Sequence, residues 1–233
     1  MWEITLQKIT GTYHELHGML CQDQIFHQER NHCQSVVLAD GTGNSDINTF
    51  CVKEVVEFAA DILLEFVENG RAGRICREDV IRRLMQGVIR IISKYMDTYH
   101  LPAEAFASTL MGVAVNHVRE EYLLIHLGDG IIVGKNGQQS CVLSYPVNRK
   151  ANETFLTISE NLMERTRVKS GSLAEFDRLV LCSDGVYDYP VGRMFTEQTI
   201  WEILDGAENL AKKEDDQSYI QLRRKNLHEK LIL

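Results

Sequence analysis

Acidic residues stand at five strand ends of this sequence. Val36-Val37-Leu38-Ala39 leads into Asp40-Gly41-Thr42-Gly43, Leu124-Ile125-His126-Leu127 into Gly128-Asp129-Gly130, and Val180-Leu181-Cys182-Ser183 into Asp184-Gly185. Cys21-Gln22-Asp23 and Asp215-Asp216 each stand just ahead of a strand-like stretch. Taken singly, an Asp-Gly after a strand is a turn. Taken together, the five suggest a chemistry. If their strand ends share one rim, the carboxylates repel one another and are costly to ionise unless cations lie between them. Hard divalent ions such as Mg2+ and Mn2+ take oxygen ligands, and a shared carboxylate bridges two of them. Glycine, lacking Cβ, lets the backbone turn sharply and bring a carbonyl oxygen or a substrate phosphate close. Two such ions, roughly 3.5–4 Å apart, generate a hydroxide aligned for in-line attack on phosphorus, which is hydrolysis of a phosphate ester.

The elements that must position these acids are legible from periodicity. WEITLQKIT alternates as a strand, GTYHELHGML is a polar turn, a short strand spans about Gln24 to Gln28, and another ends at Asp40. Two amphipathic helices follow. Val52, Val55, Val56, Ala59, Leu63 and Phe66 mark the first, with Ser45 or Asp46 as N-cap. Val80, Leu84, Val88, Ile91 and Tyr95 mark the second, with Pro102 beyond its end. From Ala107 to Tyr145 strand-like runs are joined so tightly, as at Asn136-Gly137, that an antiparallel meander is expected. Pro146 to Asn161 reads as a loop or flap, Asp177 to Asp184 as a strand, Thr196 to Ala211 as a helix with Ile200, Trp201 and Leu204 in the core, and SYIQLRR as a last strand. No repeat or linker divides the chain, so residues 1–233 form a single domain of α+β class.

Bulk properties narrow the partners. With 233 residues, 44% of them hydrophobic, the chain is large enough for a well-filled core. A net charge of −8 and a pI near 5.5 oppose binding to nucleic acid or to anionic membrane surfaces. The start lacks the basic and apolar blocks of a signal peptide, and no run is long enough to cross a bilayer, so a cytoplasmic location is expected. Six cysteines without a CxxC pair (Cys21, Cys33, Cys51, Cys76, Cys141, Cys182) argue for reduced, mostly buried thiols. Arg223-Arg224-Lys225 reads as a solvated edge.

At this point the sequence resembles the metal-dependent protein phosphatase 2C family of serine/threonine phosphatases. CQD (Cys21 to Asp23), VVLADGTG, STLMGVAV, LIHLGDGIIV, LVLCSDGVYD and DDQSYI follow the order of the family's motifs, from about residue 10 to residue 222. HGMLCQD and NETFLTISEN are similar to its compact bacterial branch, which implies a bacterial source. The resemblance implies two stacked antiparallel β-sheets flanked by pairs of α-helices, a four-layer αββα sandwich. It further implies that Asp40 bridges two metals with the Gly41 carbonyl as a ligand, that Asp184 and Asp215 hold the first metal, and that Asp23 lies in the surrounding shell. Asp129 with Asp184 would form a third, weaker site. Asp40 and Asp184 are the catalytic expectation, through a water activated between two Mn2+ or Mg2+ ions. The implied substrate is a phosphorylated protein, opposing a serine/threonine kinase, and the implied state is a monomer.

The chain departs from the family at three places. Thr42 stands where the family has a histidine thought to protonate the leaving alkoxide, and a hydroxyl is a poor donor near neutral pH; His14, His17 and His126 are candidate substitutes. Gly18 replaces the phosphate-binding arginine, leaving the metals alone, or Arg149 or Arg165, to hold phosphate. Gln22 replaces the common glutamate, and alignment of Ser218 with the family's threonine favours Asp215 over Asp216 as ligand. Two other readings remain in view. A phosphatase-shaped module that binds a phosphoprotein without turnover would account for the lost histidine and arginine. A haloacid-dehalogenase-like phosphotransferase would use Asp40 itself as nucleophile, but needs a parallel sheet with crossover helices.

Overall fold

In a computed structural model of the chain, residues 2–42, 45–70, 72–137, 139–150, 153–186 and 212–225 are described. Strand β1 (Trp2–Ile9) leads through a short helix α1 (Thr12–Leu16) to the hairpin β2 (Gln24–Arg30) and β3 (Cys33–Ala39). Two long helices follow, α2 (Asp46–Asn69) and α3 (Arg77–Tyr99). The middle of the chain holds β4 (Leu110–Asn116), β5 (Glu121–Leu127), β6 (Ile131–Asn136) and β7 (Gln139–Ser144). A small ribbon of β8 (Asn148–Lys150) and β9 (Glu153–Thr154), a helical turn α4 (Leu162–Arg165), β10 (Arg167–Ser172), β11 (Arg178–Cys182) and β12 (Gln217–Arg224) complete the described elements.

The strands form two five-stranded sheets, ordered β10-β5-β4-β3-β2 and β1-β12-β11-β6-β7, and every pairing is antiparallel. That excludes the parallel scaffold of the phosphotransferase reading. The sheets stack through alternate residues. Val36 and Leu38 of β3, Met111, Val113 and Val115 of β4, and Tyr122 and Leu124 of β5 face Ile132, Leu179, Leu181, Ile220 and Leu222 of the other sheet. Their neighbours Val37, Ala39, Ala114, Leu123 and Ile125 point the other way, onto α2 and α3. Burial on both faces explains why Val36–Ala39 of β3 and Leu110–Val115 of β4 read as unbroken apolar runs rather than alternating ones.

Helix α2 lies directly on this sheet with α3 packed beside it, as their apolar stripes require. The first helix begins after Ser45, whose side chain makes no capping bond; the Asp46 carboxylate instead accepts the Leu20 N–H at 2.9 Å. Its C-terminus is closed by Arg119, whose guanidinium donates to the carbonyls of Val67, Glu68 and Gly70. The second ends at His100 in the left-handed region, ahead of Pro102. The helix expected over 196–211, with Ile200, Trp201 and Leu204, lies outside the described residues, and with it the helical layer expected on the second sheet.

Three local expectations need correction. The run from Ala107 to Tyr145 is not one meander, because β5 and β6 are not neighbours: the chain leaves one sheet and enters the other through Gly128-Asp129-Gly130. A short connection need not join hydrogen-bonded partners when a glycine (Gly128, φ 119) redirects the backbone between stacked sheets. The turn GTYHELHGML contains α1, closed by Gly18 at φ 66 with the Met19 N–H bonded to the His14 carbonyl. The presumed loop Pro146 to Asn161 includes the β8–β9 ribbon. All six cysteines are free, four of them buried and Cys76 and Cys141 exposed.

The outer strands of the two sheets are tied across the side of the sandwich. From β10, Lys169 donates to the Leu143 carbonyl of β7, and Arg167 to the Tyr145 carbonyl just beyond it.

Leu124 is fully buried between the sheets. Leu124→Ala is expected to cost roughly 2–5 kcal/mol in a urea titration, whereas Val118→Ala, at a surface position, should stay within about 0.5 kcal/mol.

Candidate functional site

The strand registers bring the five aspartates to one end of the sandwich. In the first sheet, Gln24 at the start of β2 pairs with Ala39 at the end of β3, and Leu110 at the start of β4 pairs with Leu127 at the end of β5. Asp23, Asp40 and Asp129 therefore leave that sheet at the same edge. In the second sheet, Cys182 at the end of β11 pairs with Ile131 at the start of β6 and with Tyr219 near the start of β12, which places Asp184 and Asp215 together. The Gly128–Gly130 link joins the two ends, so both sheets contribute to a single rim.

Hydrogen bonds and close backbone approaches fix the segments that carry Asp40, Asp23, Asp184 and Asp215. The Asp40 N–H donates to Thr109 Oγ1 at 2.9 Å and its carbonyl accepts the Thr109 N–H at 2.8 Å, fixing the tip of β3. Gly41 forms an isolated bridge with Ser108, hemmed in by Asn48 and the Gln22 carbonyl. The buried Asp23 accepts a 2.9 Å bond from Ser183 Oγ, linking the two sheets, while its second oxygen is buried without a partner. Gly185 is required where it stands: a Cβ there would lie 1.9 Å from the Asp216 carbonyl and 3.6 Å from Asp215 Cβ, so the loops bearing Asp184 and Asp215 are in contact.

Asp215 and Asp216 have different surroundings. Asp215 is exposed, with its Oδ1 accepting the Asp216 N–H at 2.9 Å. Asp216 is 3% exposed; its Oδ1 accepts from the Gly11 N–H at 2.7 Å, and its Oδ2 from the Gln22 N–H at 2.5 Å with His14 Nδ1 at 3.0 Å.

The electrostatics of the rim are those of crowded, desolvated carboxylates. Burial and then the charges of Asp23, Asp184, Asp215 and Asp129 lift the Asp40 carboxyl well above the ordinary range. Burial, followed by Asp129, Asp215 and Asp23, pushes Asp184 up to about 7. Burial likewise raises Asp23 to about 6, against hydrogen bonds from Ser183 and Ser218. Asp129 is also raised, burial again leading, and Asp215, although the residue as a whole is exposed, is raised by partial desolvation of its carboxyl and by the Asp216 and Glu214 charges, with the His14 charge acting in the opposite sense. The set thus has the donor chemistry of a hard-cation site, with oxygen ligands, excess negative charge and one orphaned carboxylate oxygen. Among the described residues, however, no three His, Cys, Asp or Glu side chains are gathered closely enough to enclose an ion.

The candidate proton donors and phosphate ligands separate clearly. His126 is buried between the sheets, its Nδ1 2.7 Å from Ser144 Oγ, and burial with Arg167 lowers its pKa to about 3, so it is neutral and unsuited to proton delivery. His17 is exposed, with Nδ1 on the Tyr13 carbonyl. His14 is the histidine in contact with a rim carboxylate. The Thr42 hydroxyl is committed to the Ala107 carbonyl at 3.2 Å. Arg165 lies over the Phe155 ring, 4.5 Å from its centroid, and the Arg149 side chain falls outside the described part of the structure. The sequence did not signal the Ser183–Asp23 bond or the Asp216 contacts, since the partners lie 160 and 194–205 residues apart.

Comparison with known proteins identifies the family and the fold. The family model described as protein phosphatase 2C matches residues 10–231. Among solved structures, the chain is similar to a serine/threonine phosphatase of S. agalactiae (15% identity, TM-score 0.65), covering 97% of this chain and 100% of that one. It is also similar to RsbX in complex with magnesium (12%, TM-score 0.57, 95% and 94% covered) and to the phosphatase domain of SpoIIE from Bacillus subtilis (15%, TM-score 0.54, 95% and 92% covered). No curated protein matches the sequence.

The raised carboxyls give a pH dependence with a definite sign. With cations chelated, the fold holds the Asp184 proton more tightly than the unfolded chain does, so the stability tied to that group is full below its unfolded pKa and is lost as pH rises through about 7. Asp184→Asn, which keeps shape without charge, is expected to gain stability relative to wild type between pH 5 and pH 8 in EDTA, read from thermal midpoints at each pH. A difference that stays flat would show that the rim charges do not confront one another.

Proposed function

The chain belongs to the protein phosphatase 2C family, and on that premise we propose that it hydrolyses phosphoserine and phosphothreonine in protein substrates with Mn2+ or Mg2+. The observation that carries this reading is the convergence of five aspartates from both sheets on one rim, where burial and neighbouring charges raise their carboxyls. Five acids placed by different strands on one rim, destabilising one another, are intelligible if cations offset their charge. That RsbX was solved with magnesium supports the choice of ion.

In this proposal Asp40, with the Gly41 carbonyl, would lie between two cations, Asp184 and Asp215 would hold the first, and Asp23 would steady the set from behind through Ser183. Asp129 with Asp184 offers a third, weaker position. When bound, the ions supply a water acidified for nucleophilic attack and neutralise phosphate charge. The residues of the chain do the rest: Thr109 fixes the backbone at Asp40, Ser183 keeps Asp23 aligned between the sheets, and Gly185 lets the Asp184 and Asp215 loops touch. Asp215, exposed, is the better ligand of its pair, because both oxygens of Asp216 are engaged elsewhere. Arg165 is occupied on Phe155, so phosphate binding falls mainly to the cations. In this reading the enzyme acts in the cytoplasm, opposite a serine/threonine kinase. No helix of the described residues is long and apolar enough to cross a membrane.

A second reading has its own support: the Thr42 hydroxyl is engaged with the backbone, and among the described residues no three His, Cys, Asp or Glu side chains are gathered closely enough to hold an ion. It is a phosphoprotein-binding module with little or no turnover. The two part in a p-nitrophenyl phosphate assay. The enzyme reading expects hydrolysis with Mn2+, its abolition by EDTA, and a loss on the order of 100-fold or more in Asp40→Ala. Binding of Mn2+ and of phosphopeptides without hydrolysis of either ester would establish the module instead.

A further inference from the structure

Asp216 is a buried acid behind the rim with both carboxylate oxygens engaged by backbone amides, and the partners it engages belong to segments that carry or adjoin the proposed ligands. Gly11 lies in the turn between β1 and α1, and it presses on the ligand loop: a Cβ there would be 2.4 Å from the Asp215 carbonyl carbon. Gln22 directly precedes Asp23. His14 sits on α1, whose first amides also grip this segment, Thr12 N–H donating to the Lys213 carbonyl at 2.9 Å and Tyr13 N–H to the Glu214 carbonyl at 3.1 Å. The Asp216 N–H itself donates to Asp215 Oδ1.

From this arrangement we propose that Asp216, held by the Gly11 and Gln22 amides with His14 Nδ1 3.0 Å away, is a positioning residue that sets the Asp215 carboxylate and the Asp23 backbone for cation binding. The inference rests on the phosphatase reading above. The Asp216 side chain fixes three segments to one another; its amide then restricts one oxygen of Asp215, and the Gln22 peptide passes the restraint to Asp23. An aspartate that only satisfied buried amides would stabilise the fold without changing affinity for cations. The structure offers more than that, because the same residue's backbone orients the neighbouring acid.

The test uses the full chain. Mn2+ binding is titrated by the EPR signal of the free ion, alongside p-nitrophenyl phosphate turnover, for wild type, Asp216→Ala, Asp216→Asn, His14→Gln and the unrelated core variant Leu124→Ala. Asp216→Ala is expected to weaken Mn2+ binding by about tenfold or more, beyond any effect of Leu124→Ala, and to raise the Mn2+ needed for half-maximal turnover more than it lowers turnover at saturation. His14→Gln should move in the same direction by less. Asp216→Asn should recover part of the loss, since its amide oxygen still accepts one of the two N–H groups. Unchanged affinity in Asp216→Ala would overturn the proposal. Hydrogen exchange on metal-free wild type provides an arm independent of catalysis and of variant folding: the Gly11 and Gln22 amides should be protected, and rapid exchange at both would refute the clamp. Wild type that binds Mn2+ without turnover would leave the positioning role intact and remove the enzymatic reading, whereas wild type that binds no Mn2+ would remove both.

Discussion

Repulsion among carboxylates at one end of the sandwich is the constraint around which the rest of the molecule is arranged. Asp40, Asp184 and Asp23 are each driven above the ordinary carboxylate range first by burial and then by the charges of neighbouring aspartates. A fold that holds them together stores an unfavourable interaction that its other contacts must outweigh. It does so with two apolar layers, one between the sheets and one beneath α2 and α3, whose side chains are almost completely withdrawn from water. The rim is thus a concentrated electrostatic defect at the end of a well-packed body, which in the proposed phosphatase reading divalent cations would offset.

The same architecture explains how residues far apart in sequence converge. Antiparallel registers are set by which side chains must face which layer, and a slip of one residue would turn every side chain of β3 to the wrong side. Because the alternation of Val36 and Leu38 against Val37 and Ala39 locks that register, Asp40 has one possible location. The crossing at Gly128–Gly130 adds the second sheet without a long connection, and the bond from Ser183 to Asp23 closes the gap between them.

Much of this was legible in the residues themselves. Continuous apolar runs ending in acids indicated strand tips, helical spacing located α2 and α3, and the ordered motifs pointed to the family whose model matches residues 10–231. What escaped the sequence was relational. A short link between β5 and β6 reads as a hairpin because local spacing carries no information on whether a strand continues its own sheet or enters a stacked one. His126 looked available for proton transfer until its burial between the sheets was evident, since strand alternation near a sheet end does not reveal how far the facing layer extends. Asp216 appeared to be an alternative to Asp215, and its engagement with Gly11 and Gln22 depends on pairings across almost the entire chain.

The ties from β10 to β7 bear on how the molecule behaves in a crowded solution. A strand at the margin of a sheet offers unpaired carbonyls that another chain can adopt as a template for growth. Here the carbonyls of Leu143 and Tyr145 are occupied by long basic side chains from the neighbouring sheet. An incoming strand would have to displace a lysine and an arginine before it could pair with this end of the margin, where the fold itself supplies the cations that stand in its way.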